Sequence, residues 1–428
     1  MFLSFFVGVL PAQQECRETL PAKSNIVKDS LLKNLDFTLS PPPQRATILP
    51  EPPVLPEADV SFDPKKAFNG LAVLPPSADL ETPGVLRACL RAARSLAELK
   101  VLQERSLPRP VLLNTLPLVE ACDSCGIESI HTTADTLFRY LGAESPPPES
   151  AARAALGSRA ALERAWSLLD RRAITLAVAV EICRAIRGEP VKIRDASPAR
   201  VCNATSGDVV YTPPAGRSRL LSLLMNWEKY LGESGPPDPL IRLAVAHYQF
   251  EAIHPFADGN GRTGRVLNIL CLVRAGLLSL PVICLSRAMI RHQARYYTLL
   301  GKVTAEAAWE EWAIYVLESI EEGAKWTQAK ILASERLLAA TGSYVHRILP
   351  ALYSPRLIEL IFRYPGIRIS HLVRAGVGAR TKSAACLRAL AGAGVLEELR
   401  LGREKIFLNT RFIALLSGDS HSWFPFPD

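Results

Sequence analysis

Residues 254–265 read His254-Pro-Phe-Ala-Asp-Gly-Asn-Gly-Arg-Thr-Gly-Arg265, and an apolar helical run, Val266 to Leu277, follows directly. Glycines let backbone N–H groups approach an oxyanion closely, and a helix start adds the positive end of its dipole. The pattern is that of a polyphosphate cradle around Gly259, Gly261 and Gly264. Arg262 and Arg265, three positions apart at the helix start, can reach successive phosphates from one face. Asp258 is placed to hold the magnesium that a triphosphate brings.

Upstream, Leu243 to Ile253 reads as an amphipathic helix that ends at His254 because Pro255 follows. An imidazole at that exit, titrating near neutrality, suits a general base for a hydroxyl attacking phosphorus. A lone histidine is more often a satisfied core residue, but the adjoining loop reverses that preference.

Further out, residues 1–65 carry Pro41-Pro42-Pro43, Pro50, Pro52, Pro53 and Pro56 with little periodic hydrophobicity. Such a segment cannot offset the entropy of ordering and is expected to be disordered. A capped start at Asp79 to Pro83 leads into Val85, Leu86, Cys89, Leu90, Ala93, Leu96 and Leu99 at helical spacing. Helices near 110–126 and 132–142 complete an extension over 66–148. A mostly helical core is expected over 149–335, with one hairpin between Val201 and Tyr211. The last unit, 345–428, reads as helices near 354–363, 368–374 and 380–392, followed by two strands around a glycine turn in Val395–Leu408. That is the outline of a winged helix-turn-helix.

Composition fits a soluble globular chain: 428 residues, 48% hydrophobic and 21% charged. The opening apolar run lacks the basic flank of a secretory signal and is too short for a membrane span. Nine cysteines without framework spacing read as reduced thiols in cytoplasm. Cys122-Asp-Ser-Cys125 is a single pair, better read as a helix face than as half of a zinc site.

His254 to Arg265 also resembles the complete signature of the Fic family of protein adenylyltransferases. The resemblance implies that His254 deprotonates a Ser, Thr or Tyr hydroxyl on a target or on the chain itself, and that AMP moves to it from ATP. It further implies Mg2+ on Asp258, phosphates at Gly259, Asn260 and Gly261, the β-phosphate at Arg262 and the γ-phosphate at Arg265, with Phe256 packed inward. Val210 to Pro214 looks like the family's flap, which would clamp a target segment near 203–212 by strand addition. Leu285 to Tyr297 is similar to the region that closes around the nucleotide, with Tyr297 against it. Ser124-Cys-Gly-Ile-Glu128-Ser129 resembles an inhibitory motif in which Glu128 occupies the γ-phosphate position on Arg265 and Ser124 helps to fix it. Ser129 departs from the family's Gly or Asn. The likeness covers about residues 70 to 330, and a homodimer is a further expectation.

Rival readings start from other residues. Glu128-Ser-Ile-His131 and Glu251-Ala-Ile-His254 are two Glu-x-x-His pairs of the kind used by di-iron bundles, but that reading leaves the glycine-rich stretch without a purpose. Residues 351–428 hold 11 basic against 6 acidic side chains, a surplus of five out of the chain's +8. Arg380, Lys382 and Arg388 fall on the third helix and Arg400, Arg403 and Lys405 on the wing, so the unit over 351–408 reads as a DNA contact, as an accessory to catalysis or as a regulator in its own right. A solvated face for protein contacts is the plainer alternative. Within the enzyme class, transfer of another nucleotide, removal of AMP and phosphorylation are the alternatives.

Overall fold

Thr82 starts the first helix: its hydroxyl accepts from the Val85 N–H at 3.3 Å, and Pro83 brings the fixed φ suited to the first helical position. The computed structural model describes residues 62–169, 173–195, 200–202 and 209–427. Residues 1–61 of the proline-rich segment and the hairpin turn 203–208 lie outside the described residues. Phe62 stacks on Tyr211 with ring centroids 6.3 Å apart, so the end of the segment expected to be disordered, 62–65, is instead packed against β2.

The chain runs through α1 (Pro83–Arg105), α2 (Arg109–Ile127), α3 (Ala134–Tyr140), α4 (Ser150–Leu169) and α5 (Leu176–Arg187). Strands β1 (Val201–Cys202) and β2 (Val209–Tyr211) pair antiparallel, as expected of the hairpin. Next come α6 (Arg217–Gly232), α7 (Pro239–Ile253), α8 (Asn260–Arg274), α9 (Leu285–Arg291) and α10 (Gln293–Glu306). The long α11 (Trp309–Ile348) runs unbroken into the last unit. That unit holds α12 (Pro355–Arg363), β3 (Gly366–Ile367), α13 (Ile369–Arg374), α14 (Arg380–Gly392), β4 (Glu397–Leu401), β5 (Glu404–Leu408) and α15 (Thr410–Ser417). The fold is mostly helical, and no described helix is long and apolar enough to cross a membrane.

Two helical readings are corrected by packing. Leu86 and Leu90 are 40% and 69% exposed, and the buried face of α1 is Val85, Ala88, Cys89, Ala92, Leu96 and Leu99. The small Ala88 and Ala92 on that face let α1 lie close along α11. Likewise α7 is not amphipathic: every residue from Leu240 to Ile253 is buried, making it the central helix. Of its polar members, Gln249 donates to the Ala72 carbonyl at 2.8 Å.

In the last unit the described strands order as β3-β5-β4, all antiparallel, beside the four helices α12 to α15. This unit packs on α2 and α3 rather than standing apart. Arg368, buried, donates to the carbonyls of Arg139 at 2.7 Å and Leu141 at 3.1 Å and pairs with Glu404. The fully buried Lys330 of α11 donates to the carbonyls of Leu415, Gly418 and Ser420, each at 2.6 Å. Its Nζ also lies 4.9 Å from the Trp326 ring centre.

Candidate active site

The glycine-rich stretch is mostly helix rather than loop. Gly259, at φ +84, is the N-cap of α8, so Asn260 to Arg265 form the first turn and a half. The left-handed φ there is one that glycine adopts without cost. The N–H groups of the first turn have no intrahelical partner and project with the dipole toward whatever sits before the helix. Asn260 is buried and does not reach outward: its Oδ1 accepts from Phe256 N–H and its Nδ2 donates to the Phe256 carbonyl, both at 2.8 Å. Its side chain therefore shapes residues 256–260 and spends these two hydrogen bonds there rather than outward. Phe256 is fully buried, as expected.

Gly264 faces away from the cradle. A Cβ there would meet Glu251 Oε1 at 2.3 Å and His247 Nδ1 at 3.4 Å, so this glycine permits close contact with α7. Gly261 does face the site, where an added Cβ would stand 2.6 Å from Glu128 Oε1 and 2.9 Å from Arg265 Nη1.

Glu128 follows the last residue of α2 and is its C-cap. Ser129, at φ +58, donates to the Gly126 carbonyl and Ile130 to that of Cys125, both at 3.0 Å. This is the Schellman closure, whose left-handed position favours glycine or asparagine. The turn aims the Glu128 carboxylate at both arginines. Oε2 accepts from Arg262 Nε at 2.7 Å and Oε1 from Arg265 Nη2 at 2.9 Å. Engagement of Arg262 is the addition to the sequence reading, which pairs Glu128 with Arg265 alone. Ser124 takes part as well, its Oγ accepting from Arg265 Nε and its carbonyl from Arg265 Nη2, both at 2.8 Å. Burial alone would lower the affinity of Arg265 for its proton, but Glu128 outweighs it and holds the guanidinium firmly charged.

Tyr297 donates to the Ile127 carbonyl at 3.2 Å, and Gln293 donates to the same oxygen at 2.7 Å. Tyr297 is 42% exposed and in this state braces the end of α2. From α9, Ser286 donates its N–H and hydroxyl to the buried Glu120 carboxylate at 2.9 and 2.5 Å, and Arg287 pairs with Asp123 at 2.8 Å. The segment 285–297 thus grips α2.

His254 is the C-cap of α7 at φ +50, a left-handed position for a non-glycine residue. Burial, then the Arg194 guanidinium, push its imidazole down to about 4. This differs from the expectation of titration near neutrality and leaves the ring neutral at pH 7. Asp258, half-exposed by its side chain, takes the Gly259 N–H at 2.7 Å, lies 3.2 Å from Arg262 Nη2 and pairs with Arg187. Burial would raise its carboxyl, but Arg262 and the Arg187 hydrogen bond hold it below the usual carboxylate range. Such an ionised single carboxylate fits Mg2+, which keeps several waters and takes phosphate oxygens for the remainder. The two Glu-x-x-His pairs do not form a joint ligand set, since Glu128 is spent on the arginines while Glu251 faces Gly264 and His247.

Family models match three stretches: the Fic/DOC family N-terminal region at 86–167, the Fic/DOC family at 173–272 and the protein adenylyltransferase SoFic-like C-terminal domain at 337–412. Among curated proteins, a probable protein adenylyltransferase aq_aa38 of Aquifex aeolicus (strain VF5) is 34% identical over 113 residues, 26% of this chain and 30% of that one. Protein adenylyltransferase Fic of Drosophila grimshawi is 36% identical over 112 residues, 26% of this chain and 22% of that one. The matches span less than a third of these relatives. A solved Fic family protein from Desulfovibrio desulfuricans G20 is similar over 76% of this chain and 96% of its own, at 18% identity and a TM-score of 0.48.

Proposed function

Because this chain is a Fic/DOC family protein, we propose that it is a protein adenylyltransferase, transferring AMP from ATP to a Ser, Thr or Tyr hydroxyl of a target or of itself, and held back by Glu128. The observation that carries this reading is the convergence of one carboxylate on both arginines of the α8 N-terminus, which is where a triphosphate would need them.

In the proposed reaction His254, neutral at pH 7, accepts the proton of the target hydroxyl as that oxygen attacks the α-phosphorus and pyrophosphate leaves. Backbone N–H groups at Asn260 and Gly261 receive phosphate oxygens, Arg262 the β-phosphate and Arg265 the γ-phosphate. Asp258 would hold Mg2+, which supplies charge neutralisation of the phosphates. The edge of β2, with residues 203–212, receives the target segment. While Glu128 occupies both guanidiniums, the triphosphate cannot take its productive pose.

Transfer of another nucleotide monophosphate, or removal of AMP by the same site, would use the same residues, and the choice rests on the base the pocket accepts. The seven free thiols among the described residues support a reducing compartment, and we place the chain in the cytoplasm. The test is incubation of lysate with α-labelled ATP or GTP, Mg2+ and the protein, followed by identification of labelled proteins by mass spectrometry. Label that needs His254 and comes from ATP supports the reading, whereas absence of label with either nucleotide contradicts it.

A further inference from the structure

The last carbonyls of a helix lack intrahelical partners, and at the end of α7 they are met from the hairpin side of the molecule. Tyr211 of β2 donates its hydroxyl to the Ala252 carbonyl at 2.9 Å. Arg194, in the segment after α5, donates from Nη2 to the Ile253 carbonyl at 2.8 Å and from Nε to the His254 carbonyl at 2.7 Å. The same Nη2 lies 2.7 Å from the Pro214 carbonyl, just beyond β2, and the Arg194 N–H donates to the Pro255 carbonyl at 3.0 Å. These contacts surround His254, whose φ of +50 persists only where neighbours fix it.

We propose that Arg194 is a positioning residue for His254: by holding the carbonyls of Ile253, His254 and Pro214 together, it sets the imidazole's orientation and ties it to the strand that receives the target. The proposal rests on the reading of His254 as the base. A planar guanidinium can serve three carbonyls in fixed directions, and a lysine ammonium cannot reproduce that fork.

The charged groups around His254 are Arg194 from the segment after α5, Glu128 from the end of α2 and Asp258 from the turn before α8. Burial and Arg194 lower the imidazole, while its hydrogen bond to the Glu251 backbone and then the two carboxylates raise it. Removing the Arg194 charge therefore moves the imidazole up from about 4, and the neutral base is lost at a higher pH. Arg194→Lys retains the charge but not the geometry.

The experiment compares Glu128→Gly protein with and without Arg194→Gln or Arg194→Lys, measuring kcat and KM for AMP transfer from α-labelled ATP across pH, ATP binding by calorimetry and the His254 imidazole titration by NMR. The expected result for Arg194→Gln is a kcat lower by about 100-fold with ATP affinity retained, and an acid limb and imidazole titration moved toward neutrality. Arg194→Lys is expected to lose kcat with the titration unmoved. Parental kcat in either variant, or an Arg194→Gln titration that stays in place, overturns the proposal. Should Arg194→Gln fail to fold, the kcat of Arg194→Lys decides it. A parent that transfers no AMP, yet shows the titration shift, contradicts the adenylyltransferase reading while the positioning role stands.

Discussion

Glu128 Oε1 accepts a hydrogen bond from Arg265 Nη2 at 2.9 Å, inside a turn that leaves Arg265 only 2% exposed. The pair exists because α2 stops one residue before Glu128 and closes through a left-handed Ser129. On the proposed reading, inhibition is thus a property of how one helix ends.

Ser129→Gly relieves a side chain of the left-handed conformation, which costs about 1 kcal/mol. The relief applies only to the state in which Glu128 is engaged, so proposed AMP transfer is expected to fall by roughly fivefold. Ser129→Val, with a β-branched side chain at the same φ, should raise transfer. A rate assay of the two variants checks this, and transfer that rises for both would argue against it.

The pH dependence follows from His254. Its folded value is depressed to about 4, so the neutral form persists well below pH 7 and is lost only as pH falls through that value. The acid limb of kcat/KM is expected near pH 4 rather than near the unperturbed imidazole value of about 6.5. A limb at the higher value would show an imidazole more hydrated than its surroundings here imply.

Gly264→Ala separates a packing glycine from a phosphate-binding one. Its new methyl would collide with Glu251 Oε1 at 2.3 Å between α7 and α8. Overpacking of this kind costs about 1 to 3 kcal/mol, so a lower melting temperature is expected, read by circular dichroism. An unchanged melting temperature with weakened ATP binding would return Gly264 to the nucleotide site.

On the last unit, Arg380, Lys382, Arg400 and Arg403 are all exposed on α14 and the β4–β5 hairpin. If this surface contacts DNA, charge reversal at Arg380 and Arg403 abolishes a salt-sensitive gel shift while self-modification is retained. Absence of any shift by the parent protein at low salt would leave protein contact as the role of the surface.

The legible part of the site is the contiguous part. His254, Asp258, Arg262 and Arg265 stand in one stretch whose residue types already state a phosphate chemistry. Glu128, by contrast, is legible only through family resemblance, because Ser-x-x-x-Glu is common on solvated helices. The partnerships of Arg187 with Asp258 and of Arg194 with His254 span 71 and 60 positions, and no local pattern signals them. The phase of α1 is similarly hidden: apolar residues cover more than one of its faces, and only the approach of α11 decides that Leu86 and Leu90 point outward. The packing roles of Asn260 and Gly264 are hidden for a related reason, since their partners, the Phe256 backbone and α7, are not signalled by the glycine-rich pattern.

The most direct measurement is self-modification from α-labelled ATP and Mg2+ by the parent protein, Glu128→Gly, and Glu128→Gly combined with His254→Ala. Charge-assisted hydrogen bonds of this kind contribute about 1.5 to 3 kcal/mol, so removing the carboxylate should raise transfer by roughly 10- to 100-fold. The combined variant should return to background. Transfer by Glu128→Gly no faster than the parent, or undiminished when His254 is also replaced, would contradict the account.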